Sequence, residues 1–179
     1  MVKYKEVTTD IVNELRNITG DRNIIFEDKV KLETYSRDEV DDEQYAHMPE
    51  VVVKPGNAEE ISQIMKLANR EKIAVTPRGA GSGLSGGAVP VQGGIVLSLE
   101  RMDKILEIDE DNLVAVVEPG VITNDINELI AEKGLFYAGY PMSVESCFIG
   151  GNVAENAGGG RAVKYGVTGR YILGIEMVT

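Results

Sequence analysis

Several kinds of residue are scarce in this chain of 179 residues, and each shortage excludes a class of protein. A single cysteine, Cys147, excludes an internal disulfide and a cysteine-based metal cluster. Lysine and arginine number 18 against 29 acidic residues, and this negative balance argues against a nucleic-acid partner. No stretch approaches the roughly 20 apolar residues of a transmembrane helix. The opening sequence lacks the apolar segment of a signal peptide, so we expect a cytoplasmic protein.

The rest of the composition is typical of a folded protein. Apolar residues make up 43% and charged residues 26% of the chain, which disfavours global disorder. The length suits one domain, or two small ones that share a core. Glycine is the unusual component, because its 20 residues are bunched rather than spread.

Residues 1–49 are predicted to form an N-terminal segment of helix and loop. Thr8 or Thr9 can cap a short helix that runs through Ile18 and stops at Gly20. Asp38–Glu43 is strongly acidic, and a metal site is conceivable there. Since no fixed ligand spacing or turn glycine accompanies these acids, we predict a solvated loop instead.

A strand–helix–strand pattern opens the first predicted subdomain, residues 50–110. Val51–Val53 has the apolar run of a buried strand, and a capped helix is predicted over Asn57–Arg70. Ile73–Thr76 and Ile95–Leu99 are the next strands. Because a helix joins the first two strands, we predict that they are parallel neighbours.

The second predicted subdomain covers residues 111–179. Lys104–Asp109 and Asn112–Val117 have the pattern of an antiparallel hairpin across the boundary. A helix follows, and its buried face is predicted to hold Ile126, Leu129 and Ile130. Arg170–Thr179 is predicted to be an apolar strand. Because nothing closes this subdomain, we expect it to be incomplete and the chain to be an N-terminal fragment. Together the elements predict an α+β fold.

The first glycine-rich segment is Pro77–Gly87. It contains Gly81-x-Gly83-x-x-Gly86, the spacing of a dinucleotide fingerprint, but that fingerprint requires a helix opening at the glycines. Here Pro90 and a later glycine pair break any helix, so we predict a loop between strands. Successive backbone N–H groups in such a loop form an anion nest, and a diphosphate is the natural ligand. Nearby Ser82, Ser85 and Arg78 add donors and positive charge; the alternative is a flexible surface loop.

The second segment comprises Tyr140–Ser143 and Ile149–Gly160, with Tyr165, Gly166 and Gly169 continuing the pattern. Glycine allows a close approach of the backbone to a flat ligand, while asparagine and serine supply hydrogen bonds. A helix start flanked by loops explains any one of these glycines. It explains the whole set poorly, so we predict a second part of the ligand site.

In this order, the runs PRGAGSGLSGG, YPMSVESCFIGGNVAENAGG and KYGVTGRYILGIEMV resemble the FAD-linked oxidases. These proteins share the PCMH-type FAD-binding domain of vanillyl-alcohol oxidase and p-cresol methylhydroxylase. Within the family, the runs are most similar to the D-subunit of glycolate oxidase and the FAD-dependent D-lactate dehydrogenases. The resemblance extends from about Tyr35 to Thr179.

The resemblance implies FAD held between two α+β subdomains. The residues that match the family's pyrophosphate loop and its continuation are Pro77, Arg78, Gly79, Ala80, Gly81, Ser82, Gly83, Leu84, Ser85 and Gly86. Those that match its contacts along the cofactor, the ribityl chain and the flavin are Pro141, Met142, Ser143, Gly150, Gly151, Asn152, Asn156, Ala157, Gly158, Tyr165 and Gly166.

The resemblance also implies oxidation of a D-2-hydroxyacid, such as lactate or glycolate, by a flavoprotein. The implied electron acceptor is an iron–sulfur subunit, an electron-transferring flavoprotein or a quinone. The family's substrate and metal histidines lie in a later cap domain, so we assign no catalytic residue or metal site here. We expect this chain alone to be inactive and to hold FAD weakly or not at all. Two alternatives are a nucleotide-diphosphate binder without redox activity and a flavoprotein like the enolpyruvyl reductase of cell-wall synthesis.

Some family members attach FAD covalently through histidine or cysteine. The single histidine, His47, lies well before the glycine loop, and we predict a surface position for it. Cys147 lies within the second segment, and we predict a small buried residue. Both predictions favour non-covalent FAD.

Overall fold

The computed structural model describes residues 4–40 and 42–179, which form two compact units. Unit 1 extends to Arg101 and includes Met177–Thr179, and unit 2 runs from Met102 to Glu176. The division therefore falls before residue 110, and the N-terminal segment 1–49 groups with the first strands. The assignment of these stretches to FAD-binding subdomains stays a prediction.

Unit 1 is a four-stranded sheet with helices on both faces. Its elements in chain order are α1 (Thr9–Thr19), β1 (Ile24–Phe26), α2 (Lys29–Glu33), β2 (Val51–Val53), α3 (Ala58–Glu71), β3 (Val75–Arg78) and β4 (Ile95–Ser98). Short 3₁₀ turns occupy Asp21–Asn23 and Glu43–Tyr45. The strand order is β1-β2-β4-β3, with β1 antiparallel and the other strands parallel.

The prediction that the first two parallel strands are neighbours is wrong, because β4 lies between them. Val51 and Val75 both pair with Ile95. All of β4 is buried, as a central strand requires, whereas β3 contains Pro77 and lies at the edge. Proline has no N–H to donate to a second neighbour, which explains the edge position of β3. The parallel orientation itself is confirmed.

The core of unit 1 lies where α1 and α3 cover one face of the sheet. Ile64, Leu67 and Ala68 of α3 are buried with Leu15 of α1 against the strands. Thr8 caps α1, and Asn57 caps α3 by accepting a 2.9 Å hydrogen bond from the Glu60 N–H. These two helices and their caps were predicted correctly.

Strand β1 is the element of unit 1 that the sequence pattern did not predict. Ile24–Phe26 pairs antiparallel with β2, so the N-terminal segment supplies an edge strand as well as helix and loop. On the face of the sheet opposite α1 and α3, Leu32 of α2 packs with Val52 and Val96.

Unit 2 contains a hairpin and short helices. Its elements are β5 (Ile105–Asp109), β6 (Val114–Val117), α4 (Thr123–Ala131), α5 (Ile149–Ala154), α6 (Ala162–Tyr165) and a 3₁₀ turn over Thr168–Tyr171. The antiparallel hairpin is confirmed. Ile126 and Ile130 are buried as predicted, but Leu129 is 47% exposed and was placed wrongly on the buried face of α4.

The predicted strand over Arg170–Thr179 is wrong. Arg170 belongs to the 3₁₀ turn, and residues 172–179 have no regular secondary structure. A strand needs a neighbour to satisfy its backbone groups, and none of the described strands pairs with this segment. Its apolar side chains are consequently exposed, with Leu173 at 82%. The α+β class is confirmed, and within residues 4–40 and 42–179 no helix combines the length and apolarity needed to cross a bilayer.

Candidate functional site

The first glycine segment forms an irregular loop between β3 and β4. It leaves the carboxyl end of a parallel strand, the edge at which α/β sheets bind ligands. No helix occurs between Gly81 and Val91, so the rejection of the dinucleotide fingerprint is confirmed. Gly81 has φ +76° and Gly86 has φ +80°, in the left-handed region. Bunched glycines at Gly79, Gly81 and Gly83 predict a positive φ at one of these positions, and Gly81 has it.

Gly81 is also confined sterically, whereas Gly83 and Gly86 are open. A Cβ at Gly81 would lie 2.1 Å from Nη2 of Arg78, which no real contact permits. A Cβ at Gly83 or Gly86 would meet no atom within 4 Å. The loop therefore combines a fixed start with an open, side-chain-free stretch that a ligand can approach.

Arg78 is buried beneath the loop, with 7% of its surface exposed. Its guanidinium donates to the carbonyls of Arg37, at 2.8 Å, and of Thr34 and Ala88, at 3.4 and 3.5 Å. Burial lowers the pKa of Arg78 from its ordinary value, against the opposing effects of Tyr35 and nearby carboxylates. Its donors thus hold backbone in place, and its predicted contact with a ligand stays a prediction.

Residues 34–40, which we call the strap, run alongside the glycine loop. The Glu39 N–H donates to the Gly83 carbonyl at 3.0 Å, and the Gly86 N–H donates to Oδ2 of Asp38 at 2.8 Å. Strap and loop line a cavity of about 400 Å³, whose walls include Val40 and Gly81.

The predicted solvated acidic loop is wrong at Asp38, whereas Glu39 and Glu43 are exposed as predicted. Asp38 is only 9% exposed, and its second carboxylate oxygen accepts from the Val40 N–H at 3.1 Å. Sequence reasoning missed this role because it depends on a partner, Gly86, that is distant in the chain. Asp41 lies outside the described residues. His47 is exposed, as predicted.

A second polar cluster, which no sequence pattern predicted, lies just beyond the carboxyl ends of β2 and β4. Glu100 accepts hydrogen bonds from Lys54 at 2.5 Å, from Ser98 at 2.9 Å and from the Tyr35 hydroxyl at 3.0 Å. Burial alone would raise the pKa of Glu100, but these donors outweigh it and lower the pKa below the ordinary 4.5. Burial raises the pKa of Tyr35. The cluster therefore fixes Tyr35, in the strap, to the end of β4.

In unit 2, part of the second glycine-rich segment forms the short helix α5. This is the alternative considered above, in which a helix start accounts for these glycines. Gly150 packs so closely on Pro119 that a Cβ would lie 2.6 Å from the proline Cβ. Asn152 is buried, and its Nδ2 donates to Thr123 Oγ1 at 2.6 Å and to Cys147 Sγ at 3.4 Å. Cys147 is buried, as predicted. The Asn152 amide thus serves packing in this structure, and its flavin contact stays a prediction.

The chain after α5 is tied to the 3₁₀ turn of unit 2. Asn156 has φ +53°, and its Oδ1 accepts from the Gly169 N–H at 2.9 Å. The Ala157 carbonyl accepts from both the N–H and the hydroxyl of Thr168, at 3.0 and 2.8 Å. A Cβ added at Gly158 would lie 3.4 Å from the Val167 side chain.

The remaining predicted contacts also lie in unit 2, where Gly159 packs against Tyr140 and Pro141. Pro141 is buried, whereas Met142 is almost fully exposed beside Ser143. Tyr165 packs edge-on against Phe136, with ring centroids 5.6 Å apart, and Gly166 has φ +88°. Among the described residues, no group of histidine, cysteine, aspartate and glutamate is arranged to hold a metal ion.

Comparison with protein families and curated relatives gives a consistent result. The family model described as an FAD binding domain matches residues 49–179. Glycolate oxidase subunit GlcD of Bacillus subtilis is 43% identical over 172 residues, 96% of this chain and 36% of that relative. D-lactate dehydrogenase of Anaerostipes hadrus is 39% identical over 176 residues, 98% of this chain and 36% of the relative. The chain thus spans about a third of the length of these relatives.

Solved structures share the fold. Alkyldihydroxyacetonephosphate synthase superimposes with a TM-score of 0.86 at 22% identity, covering 100% of this chain and 34% of that one. p-Cresol methylhydroxylase with substrate bound superimposes with a TM-score of 0.62 at 31% identity, covering 77% of this chain and 29% of that one.

Proposed function

The chain belongs to the family of FAD-binding domains, and from this premise we propose that it is the cofactor-binding part of a flavin-dependent D-2-hydroxyacid oxidoreductase. Bound FAD supplies the electron acceptor for oxidation of the hydroxyl-bearing carbon to a 2-oxoacid. The observation that carries the proposal is the family match over 49–179, which spans both glycine segments.

The residues of the glycine loop fit the diphosphate of FAD. Backbone approach is open at Gly83, and the left-handed Gly81 turns the chain at the carboxyl edge of the sheet. Such a loop presents successive N–H groups to an anion without obstruction from side chains. We propose that this loop holds the pyrophosphate and that residues 141–143, 150–158 and 165–166 contact the remainder of the cofactor. The attachment is non-covalent, since Cys147 is buried and hydrogen-bonded within the protein.

The proposed substrate class rests on the relatives' names. They include glycolate oxidase, D-lactate dehydrogenase and, in Stutzerimonas stutzeri, a D-2-hydroxyglutarate dehydrogenase that is 34% identical over 169 residues, 94% of this chain and 36% of the relative. The first is named as a subunit, which supports a partner protein. We propose an iron–sulfur protein, an electron-transferring flavoprotein or a quinone as acceptor, and a cytoplasmic location.

Flavin bleaching tests this proposal on the protein as its cell produces it, purified with its flavin. D-lactate, glycolate and D-2-hydroxyglutarate are added without oxygen, and L-lactate is the matched control. We expect at least one of the three to bleach the flavin absorbance, while L-lactate does not. Bleaching by none of them, or equal bleaching by L-lactate and D-lactate, would contradict the proposed substrate class.

A further inference from the structure

We propose that Asp38 is a positioning residue that holds the glycine loop in its diphosphate-binding shape. The inference rests on the FAD binding of the proposed function and concerns a residue outside the glycine segments. Its basis is the contact between the strap, residues 34–40, and the loop.

Two hydrogen bonds join the strap to the loop. The Gly83 carbonyl accepts from the Glu39 N–H at 3.0 Å, and the Gly86 N–H donates to Asp38 Oδ2 at 2.8 Å. These bonds enclose Leu84 and Ser85, and Leu84 is 74% exposed. The tip of the loop is therefore held at both ends and stays open to a ligand.

The strap is itself anchored from beneath. Arg78 donates to the Thr34 and Arg37 carbonyls in the strap, and to the Ala88 carbonyl at the exit of the loop. Tyr35 is fixed by its hydroxyl to Glu100. The backbone around Asp38 is therefore fixed. Its carboxylate, by accepting the Gly86 N–H, fixes the position of Gly86 in turn.

Hydrogen bonds between strap and loop favour binding because they preorganise the loop. A loop rich in glycine loses more conformational entropy on ordering than any other sequence, and binding must offset that loss. A loop held in shape before binding removes much of this cost, which strengthens binding without a new contact to the ligand. Direct ligation by Asp38 is disfavoured, because its negative charge repels a diphosphate.

The experiment compares Asp38→Ala and Asp38→Asn with wild type in the protein as its cell produces it, after removal of its flavin. Asp28→Ala is the matched control, because Asp28 also accepts a backbone N–H, that of Lys31, but at the start of α2. FAD affinity is measured by quenching of flavin fluorescence, and exchange of the Gly86 amide by NMR without FAD. Circular dichroism confirms that each variant is folded.

We expect Asp38→Ala to weaken FAD binding at least about tenfold, as loss of a hydrogen bond to a charged group predicts. It should also speed exchange at Gly86. Asp38→Asn keeps one acceptor oxygen and should lie closer to wild type, while Asp28→Ala should change neither measurement.

Three results would overturn the assignment. Asp38→Ala with unchanged FAD affinity excludes positioning, and tighter binding in both Asp38 variants shows repulsion of the ligand instead. Rapid exchange of the Gly86 amide in the wild-type protein would show that the Gly86 N–H is not held by Asp38. Because this measurement needs no variant, the proposal can be tested even if a variant does not fold. If the wild-type protein as its cell produces it has a protected Gly86 but binds no FAD, the proposed function is contradicted, and that result is distinct from the first.

Discussion

At the scale of single residues, the left-handed conformation of Gly81 shows that glycine is required at this position and does not merely make the loop flexible. Its φ of +76° strains any side chain, and a Cβ there would force the buried guanidinium of Arg78 to shift, whereas Gly83 has open space. The bunching of glycines predicted the loop and the positive φ. It could not predict Asp38, because a buried hydrogen bond between distant residues leaves no local pattern.

The substitution Gly81→Val tests whether the conformation of Gly81 is needed for FAD binding. A β-branched side chain in the left-handed region costs about 1–2 kcal/mol of stability, and its clash with Arg78 displaces the loop. We expect FAD affinity to fall by at least about tenfold while the far-ultraviolet circular dichroism keeps its β-sheet signal. Fluorescence titration and urea unfolding measure the two effects.

The control for this substitution is Gly174→Val, because Gly174 lies outside both glycine segments, has no atom within 4 Å of an added Cβ and has no left-handed φ. It should change neither the stability nor the affinity appreciably. Wild-type FAD affinity in Gly81→Val would show that the loop is not the diphosphate site.

At the scale of elements, apolar runs and caps predicted α1, α3, the parallel strands and the hairpin, but not the strand order. Neighbours in a sheet are chosen by burial and by free N–H groups, and Pro77 placed β3 at the edge. Strand β1 was not predicted because its pairing partner, β2, is distant in the chain and leaves no local pattern. The apolar segment 172–179 was mistaken for a strand because apolarity alone does not supply a pairing partner.

The Glu100 cluster, which joins the ends of β2 and β4, gives a prediction for pH. Although burial opposes it, hydrogen bonding lowers the pKa of Glu100 in the folded state, so the folded state binds the proton more weakly than the unfolded state. This stabilisation is complete above the ordinary pKa of 4.5 and is lost as the pH falls below it.

We therefore expect Tm to fall less in Glu100→Gln than in wild type when the pH is lowered from about 6 to about 3. Differential scanning calorimetry measures both profiles. Glu107→Gln, which removes an exposed carboxylate from β5, should follow the wild-type profile. Parallel profiles for wild type and Glu100→Gln would show that Glu100 contributes nothing to the acid sensitivity.

At the scale of the whole molecule, the predicted cofactor contacts are divided between the two units, with residues 77–86 in unit 1 and residues 141–166 in unit 2. The order of three sequence runs identified the family, which the match over 49–179 confirms. Individual flavin contacts are not settled by sequence pattern, since Asn152 and Gly150 also have clear packing roles.

The most direct test of the central claim is an equilibrium titration with FAD and, separately, with FMN, made on the protein as its cell produces it after removal of its flavin. FMN carries the flavin but lacks the diphosphate bridge and the adenosine, so it cannot use a pyrophosphate loop. We predict saturable binding of FAD, displaced by ADP, with FMN bound at least about tenfold more weakly. Equal affinity for FAD and FMN, or no saturable binding of FAD, would contradict the assignment of this chain as an FAD-binding domain built on its glycine loop.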